Sequence, residues 1–204
     1  DLVMPYTDSS IDFVVLTHPH ADHLDGLVEV LERFEVGAVL ITGVFADDDT
    51  YFEFLDKVAE VPVYFAESGT DFLFGDLKMD VLYPFSQIVG EEFKNLNNSS
   101  VVLMIESGDL RILLTGDAEG EVEQELIERY FGKLKSDILK AGHHGSKTAS
   151  SAGFLSVVRP DVVVVQVGEG NSFSHPHEES LRAFEALGAT VRRNDLEGII
   201  EFIF

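Results

Sequence analysis

Short apolar runs alternate with helix-like periodicities along the chain. Residues 11–17 form a continuous apolar run that predicts a buried strand, and residues 24–34 carry apolar side chains at helical spacing. Further strands are predicted at 36–44, 61–65, 137–141, 161–167, 190–193 and 198–204, and helices after Asp47 and at 119–130, 150–158 and 178–187. Two hairpins, over 72–83 and 101–114, are predicted to turn at Gly75-Asp76 and Gly108-Asp109. This mixture favours an α/β fold in which helices cover buried sheets.

Composition narrows the classes of protein to consider. The chain has 204 residues, of which 45% are hydrophobic, so we expect one domain over residues 1–204 with a sizeable core. Cysteine is absent, which excludes disulfides, thiolate zinc sites and cysteine nucleophiles. A bound metal must therefore be held by His, Asp, Glu or Asn. The sequence has neither a run of about 18 apolar residues, as a transmembrane helix needs, nor a recognisable signal peptide.

The net charge is strongly negative. Fourteen Lys and Arg against 37 Asp and Glu give −23 at pH 7, which disfavours tight non-specific binding of duplex DNA. The basic residues available for a local rim are Lys133, Lys135, Lys140, Lys147, Arg192 and Arg193.

The densest chemical signal directly follows the first predicted strand. His18 and His20 leave the strand with a proline between them, and Asp22 and His23 begin the next helix. A polar loop that caps the helix at Asp22 is the alternative interpretation. Four ligand-competent side chains within six residues instead favour a site for two adjacent cations such as Zn²⁺, Mn²⁺ or Fe.

Three later segments place further polar side chains after apolar segments or before helices. Asp117 follows a strand and Gly116, where it either bridges two metals or caps the following helix. His143 and His144 follow another strand, so that one can close a metal shell while the other faces substrate. His175 and His177 precede a helix, and a helix-capping turn is their alternative role.

Together these segments resemble a known family. The sequences THPHADH, LLTGD and KAGHHGS, in this order, resemble the metallo-β-lactamase superfamily. With NNSS at 97–100 and SHPHEESL at 174–181, the chain is similar to the C-terminal hydrolase domain of ComEC-type competence proteins, which handle DNA during uptake. The resemblance covers essentially the whole chain and implies an αββα sandwich.

The resemblance also implies roles for individual residues. The implied metal ligands are His18, His20, Asp22, His23, Asp117 and either His143 or His144, with His143 favoured because it comes directly off a strand. Asp22 and Asp117 are implied to orient a hydroxide, and His175 and His177 to contact a phosphate oxygen or protonate the leaving group. The implied substrate contacts are Asn97, Asn98, Ser100, Ser146 and Lys147.

The implied cofactors are two divalent ions, Zn²⁺ or Mn²⁺. Many superfamily members have a further metal-binding histidine where this chain has Asn97, Asn98, Ser99 and Ser100. An asparagine oxygen is a weaker ligand than an imidazole, so we expect the first metal site to be weak, filled only with substrate, or selective for Mn²⁺ over Zn²⁺.

The implied activity is a metal-dependent phosphodiesterase or nuclease acting on DNA, in which a metal-activated hydroxide attacks phosphorus. Two alternatives stay open: a hydrolase of a small phosphodiester, lactone or thioester, and an inactive metal-binding domain kept for assembly. We expect a soluble domain, attached to the bacterial membrane beside a channel segment if it is part of a competence-type protein and otherwise cytoplasmic.

The usual first strands of the family are missing from the sequence. We therefore expect one sheet to expose an edge, for which residues 2–4 offer only a short substitute. Another segment or another chain would then supply those strands.

Overall fold

The computed structural model describes residues 7–203 and contains two packed sheets with helices on their outer faces. The strands are β1 Ser10–Ile11, β2 Val14–Val15, β3 Glu35–Val36, β4 Val39–Ile41, β5 Val63–Phe65, β6 Asp71–Phe74, β7 Leu77–Tyr83, β8 Val102–Ser107, β9 Leu110–Leu114, β10 Ile138–Lys140, β11 Val162–Val165 and β12 Thr190–Arg193. The helices are α1 Ala21–Arg33, α2 Asp49–Lys57, α3 Gly120–Tyr130, α4 Ala152–Val158, α5 Glu178–Ala186 and α6 Asn194–Glu197, and 3₁₀ turns cover Leu96–Ser99, Phe131–Lys133 and Gly142–Gly145.

The larger sheet has seven strands in the order β12-β11-β10-β9-β8-β7-β6. Strands β6 to β9 pair antiparallel through the two predicted hairpins, whereas β9 to β12 pair in parallel. The smaller sheet is parallel and has the order β2-β4-β5, and β1 pairs separately with β3. Parallel strands place their carboxyl ends along one edge, which is where such folds place their sites.

Three hydrophobic clusters hold the four layers together. Side chains such as Leu40, Val81 and Leu103 are buried between the two sheets. Helices α1 and α2 pack on the small sheet, with Phe54 fully buried, and α3, α4 and α5 pack on the large sheet, with Phe184 fully buried. The order helix, sheet, sheet, helix confirms the expected αββα sandwich.

Two predicted strands are shorter than their apolar runs. The run at 11–17 is divided into β1 and β2, and the run at 36–44 into β3 and β4. Gly37 separates the latter pair, and a Cβ atom there would lie 2.6 Å from the carbonyl oxygen of Asp12. The two backbone segments lie too close together at this point for any residue but glycine.

The predicted strand at 198–204 is wrong for residues 198–203. Helix α6 follows β12 directly, and the Glu197 carboxylate accepts a hydrogen bond from the Arg193 backbone N–H at 2.7 Å. Gly198 ends this helix with a positive φ of 73°. Ile199 and Ile203 are exposed beyond it, so this apolar segment has no partner strand among the described residues. Residues 2–4 and Phe204 lie outside the described residues.

Within the part of the chain that the structure describes, no helix combines the length and apolarity needed to cross a membrane.

Candidate metal centre

The carboxyl ends of β2, β9 and β10 deliver the candidate site. The segment after β2 carries His18 to His23, with α1 beginning at Ala21. In the large sheet Leu114 of β9 pairs with Lys140 of β10, so that Asp117 and His143 each lie three residues beyond this pair. The sheet register therefore brings the aspartate and the two consecutive histidines to one edge.

Four of the predicted ligands form a compact group, which we call the ligand tetrad: Asp22, His23, Asp117 and His144. Their donor atoms all lie within 4.8 Å of one another. Nε2 of His23 and Nε2 of His144 are 3.1 Å apart, and each lies 3.2 Å from Oδ2 of Asp117. Nε2 of His144 is also 3.2 Å from Oδ2 of Asp22. Two imidazole nitrogens and two carboxylate oxygens at these separations suit Zn²⁺, Mn²⁺ or Fe.

The tetrad is electrostatically coupled. Burial opposes the ionisation of Asp117, but hydrogen bonds from His144 and His23 hold its pKa well below the ordinary value. The hydrogen bond from His144 lowers the pKa of Asp22 to about 2. Burial favours neutral His144, yet Asp117 and Asp22 together outweigh it and raise the pKa of His144 to about 9. A proton on His144 therefore balances carboxylate charge when no cation is bound.

His18 and His20 form a second, smaller group. Nε2 of His18 lies 3.1 Å from Nδ1 of His20. Nδ1 of His18 lies 3.2 Å from the Ser100 hydroxyl and 3.1 Å from the Thr17 hydroxyl. Burial, followed by the neighbouring His23, lowers the pKa of His18 to about 3, so the imidazole is neutral and competent as a ligand.

The asparagines of the Leu96–Ser99 turn do not join this pair. Asn98 donates to Oε2 of Glu121 at 3.0 Å, and its Oδ1 accepts from the Glu119 backbone N–H at 2.9 Å. Asn97 donates to Oε1 of Glu119 at 3.1 Å. Ser100 accepts a hydrogen bond from the Asp117 backbone N–H at 3.0 Å. These side chains tie the turn to α3 and to the backbone that carries Asp117.

His143 lies outside the tetrad, although the sequence favoured it over His144. Its Nδ1 lies 3.0 Å from Oε1 of Glu119 and 3.2 Å from the Thr148 hydroxyl. The sequence analysis missed Glu119, which also accepts from Asn95 at 2.9 Å. The sequence feature that could have identified Glu119 is its position two residues after Asp117 and directly before helix α3.

The backbone at this turn is strained. His143 and His144 have positive φ angles of 45° and 54°, a region that non-glycine residues rarely adopt and that is concentrated at functional sites. The buried carboxylate of Glu123 fixes the following loop, because it accepts hydrogen bonds from the backbone N–H groups of Ser150 and Ser151. This conformation sends two consecutive imidazoles to different partners.

A cavity of about 480 Å³ opens beside the tetrad. Its lining includes Asp22, His23 and His144 of the tetrad together with Asn171, Phe173 and His175. Neither lysine nor arginine is among the described residues that line it. The ring of Phe173 is exposed and stacks on His175, with ring centroids 5.9 Å apart.

Of the remaining predicted site residues, His175 lines this cavity, whereas Ser146, Lys147 and His177 are not among its lining residues. His175 is held by Asn171, whose Oδ1 accepts from the His175 backbone N–H at 3.0 Å. The ring of His177 lies 4.8 Å from that of His175, and its Nδ1 accepts from the Lys147 backbone N–H at 3.1 Å. The Lys147 side chain is exposed, and Ser146 is buried.

Lys140 is a further residue that the sequence analysis misplaced. It was grouped with the basic residues available for a surface rim, but its side chain is largely buried beside Asp117. Its Nζ donates to the carbonyl oxygens of Gly116 at 2.7 Å and Ala141 at 3.2 Å. Arg192 and Arg193 are likewise paired, with Glu197 and Asp195 respectively.

Comparison with known proteins identifies the family. The model described as "Metallo-beta-lactamase superfamily" matches residues 5–169. The chain is 31% identical to ComE operon protein 3 of Bacillus subtilis (strain 168), covering 94% of this chain and 24% of that protein. It is 33% identical to competence protein ComA of Neisseria gonorrhoeae, covering 94% of this chain and 25% of that protein. The chain thus spans about a quarter of the length of these relatives.

Solved structures agree on the fold. CmlA, described as a diiron β-hydroxylase from Streptomyces venezuelae, superposes with a TM-score of 0.59 at 17% identity. The match covers 93% of this chain and 44% of CmlA. At this identity the likeness shows a common fold and nothing about activity.

Proposed function

The chain belongs to the metallo-β-lactamase superfamily and is a metal-dependent hydrolase related to competence proteins, and from this premise we propose that it cleaves phosphodiester bonds in DNA. The observation that supports the proposal most directly is the ligand tetrad beside an open cavity whose lining includes His175. Hydrolysis of a phosphodiester needs a cation that activates water and donors that hold the phosphate.

The tetrad has the donor chemistry to hold the principal cation, either Zn²⁺ or Mn²⁺. His18 and His20, together with Asp117, would hold a second and weaker cation. A bound cation would polarise a phosphoryl oxygen and lower the pKa of water.

The chain's own residues then take distinct roles. Asp22 is ionised at neutral pH, and its exposed carboxylate would accept a hydrogen bond from the attacking water. Burial lowers the pKa of His175, so the neutral ring donates an N–H to a phosphate oxygen or to the leaving group. Glu119 orients His143, which serves as a second donor to a phosphate oxygen or to the leaving group. Lys147 is the exposed cation placed for a neighbouring phosphate, and His177 fixes the backbone that carries it.

Single-stranded DNA fits this cavity better than a duplex. The exposed ring of Phe173 offers a stacking surface for an unpaired base, which a paired duplex does not present. Because the matched relatives are about four times as long, we place this domain beside further segments of such a protein, including the membrane channel that the resemblance implies.

The test is cleavage of labelled single- and double-stranded linear DNA by metal-stripped protein, with Mn²⁺, Zn²⁺ or Mg²⁺ added back. We expect metal-dependent cleavage that Asp117→Ala abolishes and that Asp109→Ala, a change in an exposed hairpin turn, leaves intact. Metal binding without cleavage of either DNA would refute the proposal for this chain.

One observation favours a second candidate, a hydrolase of a small phosphodiester, lactone or thioester. The net charge of −23 and the cavity's lack of described cationic side chains suit a small substrate better than a polyanion. Turnover of bis(p-nitrophenyl) phosphate without cleavage of DNA would select this candidate. A chain that binds metal but hydrolyses neither substrate would instead be an assembly domain.

A further inference from the structure

An apolar groove lies between α2, the end of β5 and the loop around Val89, and none of its lining residues belongs to the tetrad. It has a volume of about 480 Å³ and is lined by side chains that include Val44, Phe45, Phe52, Leu55, Phe65 and Val89. Phe45 is 47% exposed, Phe52 42%, Phe65 39% and Val89 48%. Contiguous exposed apolar surface of this kind marks interaction sites on soluble proteins.

The groove is preformed. The Gly90 backbone N–H donates to the Gly43 carbonyl at 2.8 Å, and the Phe45 N–H donates to the Glu91 carbonyl at 2.9 Å. At Gly43 a Cβ atom would lie 2.8 Å from the Phe65 ring, so glycine lets that ring lie against the backbone. Backbone hydrogen bonds therefore hold the loop that forms one wall of the groove, which lowers the entropic cost of binding.

The chain segments that line the groove are rich in exposed carboxylates, which we call its acidic rim. Exposed carboxylates interleave with or follow the lining residues, namely Asp47, Asp49, Glu53, Asp56, Glu60, Glu91 and Glu92. Across residues 43–63 and 88–92 the sequence contains a single basic residue, Lys57. Its Nζ lies 2.8 Å from Glu32 and 3.4 Å from Glu53, so its charge is already compensated.

The apolar lining and the acidic rim together determine which kind of partner the groove can bind. Nucleic acid and anionic lipid are disfavoured by like charge. A helix with one apolar face and flanking Lys or Arg residues satisfies both features, because its side chains fill the groove while its cations meet the rim. We propose that this groove docks a cationic amphipathic helix of a partner protein.

The experiment measures fluorescence anisotropy of a labelled, 18-residue Leu/Lys amphipathic peptide titrated with the full chain. EDTA is present throughout, so the result is independent of metal and of hydrolysis. We expect micromolar binding that weakens at least fivefold when salt rises from 0.15 to 0.5 M. A peptide of the same composition in scrambled order is expected to bind at least tenfold more weakly.

The variant Phe52→Glu separates groove docking from general charge attraction. It adds a negative charge and removes an apolar contact, so docking predicts at least tenfold weaker binding, whereas charge attraction alone predicts equal or tighter binding. Phe131→Glu makes the same change at an exposed phenylalanine outside the groove and is expected to bind as the wild type does. Circular dichroism verifies that both variants fold.

Three results would overturn the proposal. These are equal affinity for the ordered and scrambled peptides, unchanged affinity in Phe52→Glu, and a homodimer in sedimentation experiments that Phe52→Glu dissociates. The last result would mean that a second copy of this chain covers the groove.

Discussion

Nζ of Lys140 lies 3.4 Å from Oδ1 of Asp117. The contacts of Asp117 within the tetrad are made by its other oxygen, Oδ2. Oδ2 of the same carboxylate is 3.2 Å from both His23 and His144. The two oxygens of Asp117 therefore have different partners, Nζ of Lys140 on one side and the two imidazoles of the tetrad on the other. Burial lowers the pKa of Lys140 whereas Asp117 raises it, and a second cation that uses Oδ1 competes with the ammonium form of Lys140 for that oxygen.

Replacement of Lys140 by Met should strengthen the weaker metal site. The change removes the competing charge but keeps the aliphatic bulk, so we expect the dissociation constant of a second Mn²⁺ to fall about tenfold or more. Calorimetric titration and metal analysis after gel filtration measure this. Lys135→Met, at an exposed position, is the control and should leave both constants unchanged. An unchanged second constant in Lys140→Met would show that Lys140 does not limit occupancy.

The adjacent histidines are expected to differ in what they do. His144→Ala removes a tetrad donor and should weaken binding of the tetrad's cation by about 100-fold or more, since loss of supporting groups alone costs about 10–100-fold. His143→Ala should change that affinity less than threefold, because its Nδ1 faces Glu119. It should still slow DNA cleavage. Chelator competition measures the affinities, and equal losses in both variants would contradict the assignment.

Much of the site could be predicted because its residues follow apolar strands, and strand ends are visible in sequence. Asp22, His23, Asp117 and His144 were identified as candidate ligands in this way, and the structure brings these four together. The choice of His144 over His143 was not visible, since it depends on two consecutive left-handed residues. The sequence also could not show that Lys140 turns inward, because a lysine on a strand end is normally solvated.

The fold was predictable to the same extent. Hairpin turns at Gly75 and Gly108 and the helical periodicities appear where expected, because each depends on local sequence. The final apolar segment was misassigned as a strand, because pairing is a tertiary property and an apolar run reports only burial tendency.

The metal-free protein should lose stability as pH rises from about 6.5 to 9. The pKa of His144 is about 9 in the folded chain against an ordinary value of 6.5, so its protonation stabilises the fold fully below pH 6.5 and is lost above pH 9. Each pKa unit corresponds to about 1.4 kcal/mol, which bounds the effect at about 3 kcal/mol. Urea unfolding in EDTA across this range measures it. His144→Ala should flatten the profile, and a wild-type profile without this slope would contradict the prediction.

Gly116 is expected to be irreplaceable for steric reasons. Its φ is 54°, and a Cβ atom would lie 2.8 Å from Cβ of Ser100, the residue that contacts both His18 and the Asp117 backbone. Gly75 has a similar φ of 60° with open space around it, so Gly75→Ala measures the conformational cost alone, about 1–2 kcal/mol. Gly116→Ala should cost more than Gly75→Ala in urea unfolding and also weaken metal binding. Equal costs would mean that Ser100 moves aside freely.

Phe173 should distinguish a nuclease from a hydrolase of small diesters. Its exposed ring stacks on His175 at the cavity, so an unpaired base can stack on its free face. Base stacking contributes about 1–3 kcal/mol, so Phe173→Ala should weaken single-stranded DNA binding by roughly 5- to 150-fold. Turnover of bis(p-nitrophenyl) phosphate should change less than twofold, because that substrate needs only the metal and the phosphate donors. Phe131→Ala, at another exposed ring, is the matched control. The measurements are KM for a single-stranded oligonucleotide and kcat for the small diester. Equal losses on both substrates would instead mean that Phe173 supports His175.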